Sequence, residues 1–302
     1  MPSTKEIKSH IKSVGETQKI TNAMYLIAST KLQKAKEELD KTRPYFDAIK
    51  GEIKRIFRVN DKIDNKYFYP VEGSHNFEGD YGYVVITSDK GLAGAYNQNV
   101  IKKTMELISE HDGYKLYVVG EYGRQYFTSQ GMPIEKNFMY TAQNPTMARA
   151  REISSILIEA YCKGEIKKLF VIYTDFESGL SSTVCDERLL PFHRAEFITQ
   201  KSEKKHERMF MFEPSIDKVL DNVVASYLIG YIYSALVDSF CSEQRSRMSA
   251  MSSANTNAEK LLDELNRQYN HTRQSDITRE ITEISSGAKS QKQNLERHKK
   301  EM

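Results

Sequence analysis

The run IDKVLDNVVASYLIGYIYSALVDSFCSEQRSRMSAMSSANTNAEKLLDELNRQYNHTRQSDITREITEISS, residues 216–286, contains no proline and a single glycine, Gly230. Proline and glycine cost most inside a helix, so a stretch this long without them reads as one continuous helix. Roughly 70 residues at 1.5 Å rise make an element about 105 Å long. Its first part, VVASYLIGYIYSALV from Val223 to Val237, is almost wholly apolar. Asp221 and Asp238 bracket that part, and a bilayer span needs roughly 20 apolar residues, so it reads as a helix buried in protein. The later part is polar with a thin stripe: Met248, Met251, Ala258, Leu261, Leu262, Leu265, Tyr269, Ile277, Ile281 and Ile284. No small domain can cover a helix of that length, so it needs a second long helix to pack against.

Residues 4–59 supply that helix. Pro2, Ser3 and Thr4, followed by Lys5 and Glu6, form a helix start. Apolar residues then recur at Ile7, Ile11, Val14, Ile20, Met24, Ile27, Ala28, Leu32, Ala35 and Leu39, with one gap around Gly15 to Lys19. Steps of three and four describe a stripe narrow enough for a coiled-coil seam. Pro44 is the one interior proline and predicts a bend near Arg43.

Between the helices the pattern changes. Tyr83 to Thr87, Lys115 to Gly120 and Leu169 to Thr174 are short β-branched or aromatic runs, and Ser182 to Phe192 is a final extended run. Helical patterns fit Asn97 to Glu110, Glu121 to Gln130 and Pro145 to Lys163, with Asn144 or Thr146 as the cap of the last. Strands alternating with helices of this length indicate βαβ units around a mostly parallel sheet. The fold class is therefore α/β plus a long antiparallel coiled coil, with the terminal helices paired and a Rossmann-like α/β domain inserted between them. The divisions are residues 1–59 for the first helix, 60–79 for a polar linker and 80–211 for the α/β domain. Pro214 marks the start of the last helix, 212–288, and 289–302 form a charged extension that frays or continues as solvated helix.

Composition narrows the function classes. With 44 basic and 41 acidic residues the net charge is +3, too small a surplus for a nucleic-acid-binding face. Cys162, Cys185 and Cys241 are odd in number and far apart, which reads as reduced thiols in a cytosolic compartment. SDKGLAGAYN, residues 88–97, sits where nucleotide phosphates bind in many α/β folds, but Gly91 and Gly94 do not make GxGxxG and no GxxxxGK[ST] occurs. The glycines are read as serving the tight strand-to-helix turn. Asp89, Asp175, Glu177, Asp186 and Glu187 have no visible nucleophile or metal-ligand set beside them, and the seven histidines are scattered. The charges of the first helix (Lys31, Lys34, Lys36, Glu37, Glu38, Lys41) read as a solvated face, or as a surface for an acidic partner. Arg245, Arg247, Arg273 and Arg279 carry the same two readings, with arginine better suited to bidentate pairing.

Three sets of residues resemble the gamma subunits of F-type ATP synthases. Near the N-terminus they are Ile11 to Val14, Thr17 to Met24 and Ala28 to Leu32. In the middle the run Ile86 to Asn97 is similar to that family's turn, and toward the C-terminus Ser242 to Met251, Tyr269 to Gln274 and Ile277 to Ala288 match in order. The resemblance implies a rotating central stalk that couples ion flow through a membrane rotor c-ring to ATP synthesis and hydrolysis. It also implies no catalytic site, cofactor or metal of its own, and no direct small-molecule substrate. The implied partners are the alpha and beta subunits of the catalytic ring, the epsilon subunit and the c-ring, with one copy per complex at the cytoplasmic face of a bacterial cell membrane. By the same resemblance Arg273 and Gln274 hydrogen-bond an acidic loop of one beta subunit. Met24, beside Lys19 and Lys31, falls where the short helix passes beta's acidic lever, and Glu243 and Arg247 match polar positions on the facing stretch of the long helix.

The chain departs from that family at Lys90, where another basic residue is usual, and in KSQKQNLERHKKEM after Ala288, which goes past the usual end and would have to fit or protrude at the apical bearing. The chloroplast form's regulatory cysteine insert is absent, and the lack of a transit peptide points to a bacterial or mature organellar protein. Two other classes compete: a nucleotide-binding α/β protein with helical arms, which ATP or NAD would stabilise, and a coiled-coil scaffold, which would form a symmetric dimer.

Overall fold

Helix α1 spans Thr4–Val59 and opens on a capping box, because the Ser3 backbone N–H donates to Glu6 Oε2 at 2.8 Å while Ser3 Oγ accepts the Glu6 N–H at 3.3 Å. The computed structural model describes residues 3–59, 65–69, 79–176, 183–193, 212–213 and 215–300. Most of the linker 60–79, residues 194–211, Glu177 and Pro214 lie outside the described residues. Pro44 sits inside α1, and the helix assignment runs through it without a break. Proline there removes the N–H that would bond to the Asp40 carbonyl, one turn back.

The residues between the terminal helices form β1 (Asp80–Ile86), α2 (Tyr96–Ser109), β2 (Tyr114–Val119), α3 (Glu121–Ser129), α4 (Met147–Cys162), β3 (Ile166–Asp175) and β4 (Thr183–Leu190). The strand order is β2-β1-β3-β4, with β1 parallel to both neighbours and β4 antiparallel to β3. Thr146 caps α4, its Oγ1 accepting the Arg149 N–H at 3.2 Å. The last helix, α5, spans Ile216–Lys300, so it carries on through most of the charged extension.

Contacts divide the described chain into two compact units, residues 27–250 and a second made of 1–26 with 251–302. In the larger unit the sheet is covered on both faces. Val84, Ile86, Val119 and Leu169 point to one face and meet α4 (Ile153, Leu157), α5 (Leu220, Val224, Leu228, Ile232) and α1 (Ile53, Ile56). Tyr83, Val85, Val118 and Ile172 point to the other and meet α2 (Val100, Ile101) and α3 (Phe127). Two apolar faces explain why these strands read as continuous hydrophobic runs. The stretch Val223–Val237 of α5 thus contributes to a protein core, with Val224, Leu228, Ile232 and Ala235 each no more than 2% exposed.

In the smaller unit the two helices run antiparallel. Thr4 Oγ1 donates to Asp276 Oδ2 at 2.5 Å, Gln18 Nε2 to Glu259 Oε1 at 3.4 Å, and Thr21 Oγ1 to Asn255 Oδ1. Covered positions on α5 step by four and three through Met251, Asn255, Ala258, Leu262, Leu265, Tyr269, Thr272 and Asp276, a 3.5-residue repeat. On α1 the covered positions are Ile7, Ile11, Val14, Gln18 and Thr21. The gap read near Lys19 is therefore a seam that has turned polar, at Gln18 and Thr21. Ile20, placed in the seam by its hydrophobicity, is instead 61% exposed, and Ile27 is 54% exposed on the neighbouring turns. From Ile277 to Gln291 every residue of α5 is exposed.

Gly230 shows why the long helix tolerates one glycine. A Cβ added there would meet the Phe46 ring of α1 at 2.2 Å. Gly230→Ala gains about 1 kcal/mol of helix propensity but overpacks a seam, at about 1–3 kcal/mol. The expected result is a lower thermal midpoint for the purified chain, partly recovered by Phe46→Ala in the same chain. A G230A protein melting at or above its parent would show that the close approach is not what keeps glycine there.

Candidate functional site

The turn from Thr87 to Ala95, at the carboxyl end of β1, gathers polar contacts from α2, α3, α5 and the 141–143 loop. Thr87 Oγ1 donates to the Val119 carbonyl at 3.0 Å and accepts the Gly123 N–H at 3.0 Å. The Ser88 N–H donates to Asn97 Oδ1 at 3.0 Å, and Asn97 Nδ2 donates back to Ser88 Oγ at 2.7 Å. Gly120 has φ 94°, and a Cβ on it would lie 2.4 Å from the Thr87 carbonyl oxygen, so only glycine lets β2 turn into α3 this close to β1. In the turn itself the left-handed positions are Leu92 at φ 62° and Gly94 at φ 55°. The tight-turn reading thus holds for Gly94, while at the tip it is Leu92, not Gly91, that takes the unusual conformation.

Helix α5 meets this turn through charge. Arg247 Nη2 donates to the carbonyls of Lys90 and Gly91 at 3.2 and 3.1 Å, and its Nη1 pairs with Glu243 Oε1 at 2.6 Å. Gln244 Nε2 donates to the other oxygen, Glu243 Oε2, at 3.1 Å. The side chains of Arg247 and Glu243 are 12% and 5% exposed. Burial pushes the Glu243 carboxyl above its usual range, while the Arg247 guanidinium and the Gln244 amide pull it back down. Two serines add to the joint. Ser239 Oγ accepts the Thr174 N–H at 3.2 Å, and Ser242 Oγ donates to the carbonyls of Thr174 and Asp175 at 3.3 and 3.2 Å. They satisfy backbone groups at the carboxyl end of β3.

In a parallel sheet, a crevice opens where the strand order reverses, here between β1 and β3, and ligands commonly bind there. In this protein α5 lies across it. A cavity of about 220 Å³ remains, lined by Tyr96, Asn99 and Thr174 on one side and Arg245, Ser246 and Ser249 on the other. Arg245 stacks on Phe176, its guanidinium carbon 3.8 Å from the ring centre. A second cavity, about 240 Å³, has Tyr233, Val237 and Phe240 as its apolar wall and Lys31 and Lys34 at its rim. Among the described residues no group of three His, Cys, Asp or Glu side chains is placed to hold a metal ion. Cys162 is exposed and Cys185 half-buried, while Cys241 is buried, which pushes its thiol up to about 12.

The predicted contact residues fall into separate groups. Glu243 and Arg247 are brought together, facing the turn, and Lys31 borders the second cavity of the same unit. In the smaller unit Met24 is half-buried, Lys19 is exposed, and Arg273 and Gln274 are exposed on α5 between the seam residues Thr272 and Asp276. Reading the sequence missed Ser239, Ser242, Gln244 and Asp89 as structural partners. A signal existed for the first three: in SFCSEQ, residues 239–244, the polar Ser239, Ser242, Glu243 and Gln244 break the apolar run of the helix.

Residues 3–290 match the family model described as ATP synthase. The gamma chain of ATP synthase from Caldanaerobacter subterraneus subsp. tengcongensis is 40% identical over 292 residues, covering 94% of this chain and 98% of that one. The gamma chain from Acetivibrio thermocellus is 38% identical over 292 residues, covering 95% and 98%. A relative from Acetobacterium woodii, the sodium-ion-specific ATP synthase gamma chain, is 35% identical over 297 residues, covering 94% and 97%. The fold is similar to the central stalk and c-ring structure of the Tetrahymena thermophila mitochondrial ATP synthase, with TM-score 0.59 at 24% identity over 78% of this chain and 99% of that one. With paired terminal helices, an inserted α/β sheet and matches spanning nearly its whole length, the chain belongs to the ATP synthase gamma chain family.

Proposed function

We propose that the chain is the rotating central stalk of an F-type ATP synthase and couples ion flow through a membrane rotor ring to ATP synthesis and hydrolysis in a ring of alpha and beta subunits. The observation that carries this reading is the nearly full-length likeness to gamma chains, in a protein whose α5 bares a helix face from Ile277 to Gln291. Ile277, Ile281 and Ile284, at 43%, 61% and 73% exposed, follow one another at steps of four and three along that face, as a contact stripe would. A stalk acts as a ligand that touches each catalytic subunit differently and so shifts its conformational populations. The chemistry then belongs to the catalytic subunits, and this chain needs no catalytic site. Its partners in this reading are alpha and beta, the epsilon subunit and the c-ring, with one copy per complex at the cytoplasmic face of a bacterial membrane. The coupling ion is set in the membrane ring, so the sodium-specific relative does not assign it.

Within this reading Arg273 and Gln274 bond to an acidic loop of one beta subunit, and Met24, Lys19 and Lys31 pass beta's acidic lever. The exposure of Arg273, Gln274 and Lys19 supports that role. Glu243 and Arg247 act indirectly, through the turn they hold. Arg273→Ala combined with Gln274→Ala should leave the complex assembled, three alpha and three beta subunits to one of this chain, while slowing ATP-driven rotation. Parental rotation in that double variant would remove the two residues from the coupling surface.

Breaking the buried pair from one side should be costly. Arg247→Ala strands the Glu243 carboxylate, at about 3–5 kcal/mol of stability near neutral pH. Because burial raises this carboxyl in the folded state, the folded protein binds the proton more tightly than the unfolded one. Stability of the variant should therefore be greatest at mildly acidic pH and fall as pH rises through the raised value. Urea unfolding across that range measures it, and Glu243→Gln added to R247A should flatten the dependence. A pH-independent loss in R247A would mean the carboxyl is not left charged and buried.

A further inference from the structure

Asp89 is half-buried and has no basic side chain among its hydrogen-bond partners, yet its carboxylate is filled by donors from two distant segments. Oδ1 accepts the N–H groups of Glu121 and Ala142 at 3.1 and 3.2 Å. Oδ2 accepts the Gln143 N–H at 3.2 Å and the Thr141 hydroxyl. An ionised carboxylate has about four acceptor positions, so this one is fully used. Glu121 is the first residue of α3, where a negative charge is favoured by the helix dipole.

Both segments are tied onward. Arg149 of α4 donates from Nη1 to the carbonyls of Thr141, Gln143 and Asn144 at 3.1, 2.7 and 3.2 Å. On the other side of Asp89, the next two carbonyls of the turn are held by Arg247 of α5. A continuous polar chain therefore runs from Glu243 and Arg247 through the turn to Asp89, then through residues 141–143 to Arg149. Beyond Asp89 and Arg247 stands Leu92, 66% exposed and at φ 62°. A bulky residue in that conformation is strained and persists only where its surroundings over-determine it. An apolar side chain held out rigidly in water is of little use to the fold and suits a contact that bears force.

We infer that Asp89 is a positioning residue of the stalk: its carboxylate locks the Lys90–Leu92 tip to α3 and to the 141–143 loop, so that load on the tip passes into α5 instead of bending the turn. The inference rests on the stalk reading and adds to it a residue with no partner contact of its own.

The test uses the assembled synthase in vesicles, carrying Asp89→Asn or Asp89→Ala in this chain, with ATP hydrolysis and ions translocated per ATP both measured. Asparagine keeps the shape but places an amide N–H₂ against two of the four donors, so both variants should behave alike. Subunit composition and KM for ATP should match the parent, while ions translocated per ATP hydrolysed fall clearly below the parent's ratio. A merely structural role would lower hydrolysis and translocation by equal factors, and that result overturns the proposal, as does parental coupling in an intact D89N complex. Should D89N fail to assemble, Thr141→Val removes one donor only; a smaller drop in the same ratio is expected, and a T141V complex coupled like the parent overturns the proposal equally. A parent chain that does not co-purify with an ATPase at all would instead defeat the stalk reading.

Discussion

A helix with a narrow apolar stripe cannot stay folded alone over many turns, because propagation gains little per residue and most helical stability comes from burying a face. That constraint governs α1 and α5. In the smaller unit each offers a seam at 3.5-residue spacing, and several of the seam positions are polar: Gln18 and Thr21 on one side, Asn255, Thr272 and Asp276 on the other. Such a seam has less hydrophobic stabilisation than a leucine-rich one. It gains specificity in exchange, since a shift by one turn would leave Thr21 and Asn255 without each other and Thr4 without Asp276. Register is what a shaft must hold under load.

The larger unit solves a different problem with the same helices. There α5 is apolar, and Leu220, Val224, Leu228 and Ile232 pack onto one face of the sheet together with Ile53 and Ile56 of α1. Leucine and isoleucine side chains buried this completely are worth roughly 1.5–3 kcal/mol each. The sequence change along α5, from VVASYLIGYIYSALV to the polar seam after Met251, marks the passage from core helix to coil. The joint between the two regimes is polar, at Ser239 to Arg247, where helix groups meet strand ends and the turn.

Much of this was legible in the residues alone. The unbroken run 216–286, the three β-branched runs and their mostly parallel order followed from period and from the absence of breakers, and strand and helix limits agree to within a few residues except at the end of α5, which runs on to Lys300. Ile20 and Ile27 were misplaced because hydrophobicity was allowed to outrank spacing. A strict alternation of three and four from Ile7 passes through Gln18, Thr21, Ala28 and Leu32, and would have put both isoleucines outside. The site was less legible, for a physical reason. Arg247 and Asp89 act by bonding to backbone carbonyls and N–H groups of segments 32 to 157 residues away, and backbone partners leave no trace in residue type. The family resemblance located Arg247 but not what it holds.

The place of α5 in the sheet also bears on what kind of protein this is. In open α/β sheets the crevice at the strand-order reversal is where a loop and a helix N-terminus wait for a phosphate. Here the equivalent groups are turned inward: the Ser88 N–H goes to Asn97, the carbonyls of Lys90 and Gly91 go to Arg247, and the end of β3 goes to Ser239 and Ser242. The helix occupies the ligand's place, and it is bonded there by charged and hydroxyl groups that fix direction as well as contact. A bound ligand would exchange with solvent; a covalently continuous helix cannot. The same crevice that lets other sheets sense a small molecule therefore becomes, in this chain, a rigid mount from which movement of the sheet is passed directly to the helix.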